Sequence, residues 1–246
     1  MINGATTLTG RAAILAATGQ HPYPRHALVR DCEPLGRTAA GATAWLLPTT
    51  GGPAGGAYGP TGPAVDLLAG LLAERPPAPG SLLHLPRVGP ADLAGRLAVD
   101  ARDDWDFRWL TAAPAPVPGA ERVVRLTAAD TPALTALIDG SFPTSTARPD
   151  DPRIVAWYGI RDGARLVACG ADRSRGDIGF LAGLTVATAA RGRGLGAALT
   201  VGMARSLFDR FDTVALGVYT HNTGATRLYR RLGFTAALPR TSVRLA

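Results

Sequence analysis

Residues 191–196, Arg-Gly-Arg-Gly-Leu-Gly, constrain the fold of this chain more than any other stretch. They follow an apolar segment, 177–186, whose two faces are both apolar or small, the pattern of a strand covered on both sides. After the turn, apolar residues recur every four positions from Leu195 to Leu207, which predicts an amphipathic helix. A second apolar strand at 213–219 and a last helical run follow. A buried strand that leads through glycines into a helix predicts an α/β protein.

The glycine-rich turn has the features of an anion site. Gly192, Gly194 and Gly196 remove side chains where backbone amides can approach a ligand closely. These amides lie at the start of a helix, where unpaired donors and the helix dipole favour negative charge. Arg191 and Arg193 add guanidinium groups suited to phosphate. We expect the ligand to be a pyrophosphate.

The strand before the turn is predicted to alternate its two faces without interruption. One face is then formed by Ile178, Phe180, Ala182, Leu184 and Val186. The residues between them form the other face.

Two common phosphate-binding motifs do not fit the turn. A Walker loop requires Gly-Lys-Ser/Thr, and the sequence has no lysine. A Rossmann site requires Gly-x-Gly-x-x-Gly with an acidic residue about 20 residues later. Here the glycines alternate, and the strand after the helix does not end in such an acid.

The pattern resembles the GCN5-related N-acetyltransferase (GNAT) family instead. Arg191, Gly194 and Gly196 match that family's Arg/Gln-x-x-Gly-x-Gly/Ala signature. Asn222 and Tyr229 match its later Asn and Tyr, and a Leu-Gly-Phe sequence follows shortly after Tyr229. Four elements in the right order and spacing make the resemblance specific.

The resemblance covers residues 121–245, about the second half of the chain. It implies a mixed central sheet in which two parallel strands splay apart and receive the pantetheine arm of acetyl-CoA, the co-substrate. Asn222 is also placed to cap the last helix. The resemblance implies that the following residues contact acetyl-CoA: Leu184, Thr185, Val186, Arg191, Gly192, Arg193, Gly194, Leu195, Gly196 and Asn222.

The resemblance further implies acetyl transfer to a primary amine of a small molecule or a peptide. The backbone N–H of Val186 would polarise the thioester carbonyl, and Tyr229 would protonate the leaving thiolate. The alternative for Tyr229 is a core aromatic of an amphipathic helix. The loop 141–152, with Phe142, would cover the acceptor amine; an ordinary surface loop is the alternative.

The general base is not evident from the sequence. Some family members carry a Glu five residues before the Asn, where this chain has Gly217, and no Glu occurs after Glu121. His221 could titrate near neutrality, although a capping or exposed histidine is the other interpretation. A water relay is a further possibility. The missing base motivates a second hypothesis, a non-catalytic CoA-binding or scaffold protein.

The sequence predicts two domains joined by a linker. Residues 112–119 contain three prolines and form the stiff linker. Residues 120–246 form the GNAT domain, and residues 1–111 form a smaller N-terminal α/β domain. That first domain could be a degenerate acetyltransferase-like half that has lost cofactor binding.

Composition excludes several classes of protein. The formal charge is +7, but the arginines are scattered and no nucleic-acid motif appears, so we expect no nucleic-acid partner. No stretch is long enough for a membrane span or a signal segment, so we expect a cytoplasmic protein without a membrane partner. The two cysteines and the acids Asp103, Asp104 and Asp106 lack metal-ligand spacing, and we expect no metal. The sequence does not indicate an oligomeric state.

Overall fold

The computed structural model describes residues 4–48 and 54–246, and the chain divides into two compact units. The first unit contains the residues up to Phe107 together with Tyr219–His221 and Ala237–Ala246. The second unit contains Arg108–Val218 and Asn222–Ala236.

The first unit begins with strands that alternate with short and long helices. Its strands are β1 (Thr6–Thr9), β2 (Leu35–Ala39), β3 (Ala42–Leu46), β4 (Gly55–Tyr58), β5 (Leu82–Pro86) and β6 (Val99–Leu110). Its helices are α1 (Gly10–Ala17), α2 (Pro22–Ala27), α3 (Thr61–Glu74) and α4 (Pro90–Leu93).

The second unit supplies the remaining elements. Its strands are β7 (Val124–Arg125), β8 (Ala156–Asp162), β9 (Arg165–Asp172), β10 (Gly179–Val186) and β11 (Val214–Tyr219), and the final strand of the chain is β12 (Ala236–Leu245). Its helices are α5 (Thr131–Ser141), α6 (Leu195–Phe208) and α7 (Thr223–Arg231).

The sheet of the first unit has the order β1-β2-β3-β4-β5-β12-β6. Strands β1 to β4 pair antiparallel in sequence order, β4 pairs parallel with β5, and β12 pairs antiparallel with β5. Leu68 and Leu71 of α3 are buried in one core with Leu83 and Leu85 of β5 and Val243 of β12.

The sheet of the second unit has the order β11-β10-β9-β8-β7. Strands β7 to β10 pair antiparallel, and β10 pairs parallel with β11. Helix α6 begins and buries its apolar face as the four-residue spacing predicts, with Leu199, Met203 and Leu207 fully buried. The predicted mixed α/β sheet is confirmed.

The two units repeat one order of elements. In sequence order, β1 to β6 and β7 to β12 each give four antiparallel strands, a helix after the fourth strand, a fifth strand parallel to the fourth, another helix and a last strand, although β12, the last strand of the second series, lies in the first unit. The first unit has one additional helix, α2, where segment 142–155 of the second unit is a loop. The two halves of the chain therefore share one order of strands and helices.

The C-terminal strand lies in the first unit. It pairs with β5 in a continuous antiparallel register from Arg240 with Pro86 to Arg244 with Leu82. The predicted second domain ran from residue 120 to 246, whereas the second compact unit ends at Ala236. This strand's partners lie more than 150 residues earlier in the chain, and nothing in its local sequence indicates them.

Within the two described ranges, no helix is long and apolar enough to cross a membrane.

Candidate active site

The central parallel strands of the second unit separate after a short paired stretch. Gly179, Phe180 and Leu181 of β10 pair with Val214, Ala215 and Leu216 of β11. Both strands continue, but across the described residues no further pair joins them. We call the opening after Leu181 and Leu216 the second-unit fork. Its edges carry backbone N–H and C=O groups that an extended ligand could pair with.

A β-bulge interrupts β10 at the fork. The pairing of β10 with β9 shifts register between Ala182 and Thr185, and Gly183 has a positive φ of 59°. A β-bulge re-aims the residues that follow it and commonly lies beside an active site. Only glycine adopts this backbone conformation without strain.

The bulge overturns the uninterrupted alternation that the sequence predicted for β10. A Cβ on Gly179 would touch Leu207 of α6, so odd-numbered positions face α6 before the bulge. Beyond it, Leu184 lies beside Met203, and Val186 lies beside Gly196, so even-numbered positions face α6. The prediction was wrong because an extra residue in a strand exchanges its two faces.

The glycine-rich turn enters α6 through two left-handed residues. Gly192 and Gly194 both have φ of 78°, and Gly194 is the N-cap of α6. A Cβ on either glycine would meet open space, so backbone conformation is what requires glycine here. The first helical bond runs from the Ala198 N–H to the Gly194 carbonyl, 3.1 Å. The amides of residues 195–197 therefore precede the hydrogen-bond ladder and lie at the positive end of the helix dipole.

Gly196 has a different role from the other two glycines. Its Cβ would lie 3.3 Å from Leu228 Cδ2 and 3.9 Å from Val186 Cγ2. The absence of a side chain therefore lets the end of β10, the start of α6 and the middle of α7 approach one another. Three separate parts of the predicted site meet at this point.

The two arginines of the turn have different partners. Arg191 turns back into the fold, where Nη2 donates to the Ser141 carbonyl at 3.0 Å and Nε to the Val186 carbonyl at 3.4 Å. The Ser141 hydroxyl also accepts the Thr188 N–H at 3.3 Å. Arg191 thus ties the end of α5 to the end of β10. Arg193 is exposed and pairs with Asp162 of the β8–β9 hairpin at 3.2 Å.

Asn222 caps α7, as the sequence predicts. Its side-chain oxygen accepts the Ala225 N–H at 3.1 Å. This bond sets the start of the helix that carries Leu228 and Tyr229. Asn222 is exposed, and its position fixes the helix end beside the site.

Tyr229 is buried on α7 in the core of the second unit, with 8% of its surface exposed. Its ring makes an edge-to-face contact with Phe234 at a centroid distance of 6.1 Å. Burial raises the pKa of Tyr229 to about 12, because the phenolate would lose its hydration. The hydroxyl therefore stays protonated at neutral pH.

The loop 142–152 packs directly on the bulge of β10. A Cβ on Gly183 would lie 2.7 Å from Ala147 Cβ and 3.5 Å from Ser145 Oγ, and both residues are buried. Trp157 of β8 lies on the same side, 3.9 Å from that Cβ position, and its indole N–H is buried without a hydrogen-bond partner in the described structure. Phe142 is half-buried at the start of the loop. The loop thus covers the point at which the fork opens.

Sequence reasoning missed several residues that shape this site. Ser141, Trp157 and Leu228 carry no motif, and their contacts join elements distant in sequence. Asp162 is the last residue of β8, and nothing in the local sequence indicates its pairing with Arg193. The described parts of the chain contain no cluster of three or more His, Cys, Asp or Glu that could hold a metal ion.

Residues 157–245 match the family model described as FR47-like protein, which is related to the GNAT acetyltransferases. No curated protein matches the chain significantly.

Three solved structures share the fold over nearly the whole chain. A GNAT-family acetyltransferase of Novosphingobium aromaticivorans is 24% identical, with a TM-score of 0.58 over 95% of this chain and 96% of its own. A GCN5-related N-acetyltransferase of Kribbella flavida is 18% identical, with a TM-score of 0.52 over 96% and 93%. One of Sphaerobacter thermophilus is 18% identical, with a TM-score of 0.50 over 99% and 96%. The predicted resemblance to the GNAT family is confirmed.

Proposed function

We propose that this protein is an N-acetyltransferase that transfers the acetyl group of acetyl-CoA to a primary amine of a small molecule or a peptide. The observation that carries the proposal is the second-unit fork, which ends at the glycine-rich start of α6. An open strand edge followed by helix N-terminal amides fits a ligand with an extended arm and a pyrophosphate.

The turn residues would hold the pyrophosphate. The amides of residues 195–197 donate to its oxygens, and Arg193 can leave Asp162 to pair with it because that ion pair is exposed and weak. The backbone of Leu184, Thr185 and Val186 would pair with the pantetheine arm. Arg191 contributes by holding the end of β10 in place through the Val186 carbonyl.

The chemical step requires three events at the fork. The lone pair of a neutral amine attacks the thioester carbonyl carbon, and negative charge develops on the carbonyl oxygen. The Val186 N–H would stabilise that charge. The C–S bond then breaks, and the Tyr229 hydroxyl gives its proton to the departing sulfur. The proton released by the amine passes to water, and another restores Tyr229.

One observation favours the second candidate function, a non-catalytic CoA-binding protein. Gly217, the position at which some family members carry a Glu, is the first residue of β11 beyond its pairs with β10. No carboxylate can act from that position. The acceptor would have to arrive neutral or lose its proton to water.

A screen of primary amines with acetyl-CoA tests the proposal. Release of free thiol that depends on both the amine and the enzyme supports acetyl transfer, and mass spectrometry of the amine identifies the product. Binding of acetyl-CoA without thiol release from any amine would favour the non-catalytic candidate.

A further inference from the structure

The first unit has its own pair of parallel strands at the position that corresponds to β10 and β11. Gly55 and Gly56 of β4 pair with Leu83 and His84 of β5, and both strands run on beyond these pairs. We call this opening the first-unit fork.

A side chain of the same chain bridges the first-unit fork. Arg240 of β12 donates from Nη2 to the carbonyl oxygen of Ala57 on β4 and to that of His84 on β5, each at 2.8 Å. These carbonyls lie where the pairing of β4 with β5 ends. One guanidinium therefore joins the two strands at the place where they would separate. In the second unit, no described side chain makes a corresponding bridge between β10 and β11.

The bridging guanidinium is fully enclosed. Arg240 has no exposed surface, and its Cζ atom lies 3.8 Å from the centre of the Tyr23 ring. Tyr23 comes from α2, the helix that the second unit replaces with a loop. The ring face attracts the cation and helps to compensate for its lost hydration.

The helix that follows the first-unit fork begins with fewer N–H donors than α6 does. Pro60 is the N-cap of α3 and Pro63 lies in its first turn, and proline has no N–H to donate. The corresponding residues of α6 are Gly194 and Ala197, both of which have an N–H. The start of α3 thus offers fewer donors for a pyrophosphate than the start of α6, because Pro63 has no N–H whereas Thr61 and Gly62 keep theirs.

We infer that Arg240 occupies the first-unit fork in place of a ligand and holds it closed, so that each chain binds a single acetyl-CoA, in the second unit. The single-site part rests on the proposed function, whereas the closure of the fork does not. Arg240 acts as a positioning residue of the first unit, supplied by the last strand of the chain.

Binding stoichiometry tests the single site. Native mass spectrometry with saturating acetyl-CoA should show one molecule bound per wild-type chain and none bound to Gly194→Val. Two molecules per chain, or one remaining on Gly194→Val, would overturn the inference. A wild-type chain that binds no acetyl-CoA would contradict the proposed function. The closure of the first-unit fork would then be decided by hydrogen exchange.

Hydrogen exchange tests the closure without any ligand. In Arg240→Met, peptides covering 55–58 and 82–86 should exchange about tenfold faster or more, because two buried charged hydrogen bonds are lost. Peptides covering 182–186 should not change. Arg244→Met is the matched control, since Arg244 lies on the same strand and donates to the Gly80 carbonyl from an exposed position.

Arg240→Lys provides a second route if the Met variant does not fold. A single ammonium replaces the fork-shaped guanidinium, so we expect a smaller acceleration in the same two peptides. Unchanged exchange at 55–58 and 82–86 in a folded Arg240 variant contradicts the inference.

Discussion

The two units share an order of elements but differ at one end of the sheet. In the second unit, the fork is open and the following helix begins with Gly194 and three amides that precede the hydrogen-bond ladder. In the first unit, a guanidinium joins the strands and Pro60 and Pro63 remove donors from the start of α3. The architecture alone therefore does not decide which unit binds a ligand. We propose that a few residues at the ends of the parallel strands decide it.

The comparison also shows two ways to satisfy the backbone groups where parallel strands separate. In the first unit, the carbonyls of Ala57 and His84 accept bonds from a buried side chain. In the second unit, the strands do not pair with each other beyond Leu181 and Leu216, and we propose that an extended ligand pairs with these edges. We propose that the open fork forms the binding site and that the closed fork does not.

The largest expected effect is the loss of acetyl-CoA binding in Gly194→Val. Gly194 has φ of 78°, and a β-branched residue is strained there by roughly 1–2 kcal/mol, so the amides of the turn would move away from the phosphates. We expect calorimetry to show affinity reduced by at least a hundredfold. Gly62→Val at the start of α3 is the control, because Gly62 has open space around it and lies in the unit without a site. Wild-type affinity in Gly194→Val would contradict the assignment of the glycine-rich turn as the phosphate-binding site.

The next largest expected effect is a loss of kcat when Tyr229, the buried tyrosine of the second unit, is replaced. Tyr229→Phe keeps the contact with Phe234 but removes the proton donor, and we expect kcat to fall about a hundredfold, or ~2.7 kcal/mol. Acetyl-CoA affinity should change little. Because the pKa of Tyr229 is about 12, its ionisation should not limit kcat between pH 6 and 10.

The buried tyrosine of the first unit is the control for that variant. Tyr23→Phe keeps the ring that packs on Arg240, and Tyr23 lies in the unit without a proposed reaction. We expect wild-type kcat from it. If Tyr229→Phe also retained wild-type kcat, Tyr229 would be a core aromatic and not the acid.

A smaller effect concerns the stability of the first unit in acid. Burial and the nearby charge of Arg240 lower the pKa of His21 from 6.5 to about 4, so the folded state holds this ring neutral. The unfolded chain takes up a proton below pH 6.5, and stability should therefore fall between pH 6.5 and pH 4. The ring is only half-buried, and solvent screening reduces the expected loss to about 1 kcal/mol.

Denaturant unfolding of wild type and His21→Asn at pH 7.5 and pH 4.5 measures this loss. Asn can still cap α2 as the His21 ring does toward the Tyr23 N–H, but it does not titrate. The stability of the variant relative to wild type should rise by about 1 kcal/mol at the lower pH. An equal difference at both pH values would show that His21 does not contribute.

The smallest expected effect is on acetyl-CoA affinity and concerns the exposed ion pair between Arg193 and Asp162. Asp162 competes with phosphate for Arg193, so Asp162→Asn should tighten acetyl-CoA binding about twofold to threefold at low salt. Asp139→Asn is the matched control, because Asp139 is similarly exposed and pairs with Arg148. Weaker binding in Asp162→Asn would mean that Asp162 orients Arg193 and does not compete for it.

The sequence by itself determined the central segment of the second unit. Strand β10, the glycine turn and α6 follow from periodicity and from glycines at positive φ, which are local properties of the chain. The cap at Asn222 is equally local, because its partner is three residues away. The GNAT resemblance rests on the same short-range patterns.

Only the tertiary structure decided which distant residues these segments contact. The bulge at Gly183 reverses the faces of β10 because of its pairing with β9, and Arg191 binds a carbonyl 50 residues away. The hydrogen bond from Arg240 to the Ala57 carbonyl joins residues 183 positions apart, and nothing in the local sequence of β12 indicates it. Such contacts depend on which distant backbone groups folding brings together, and sequence periodicity contains no information about them.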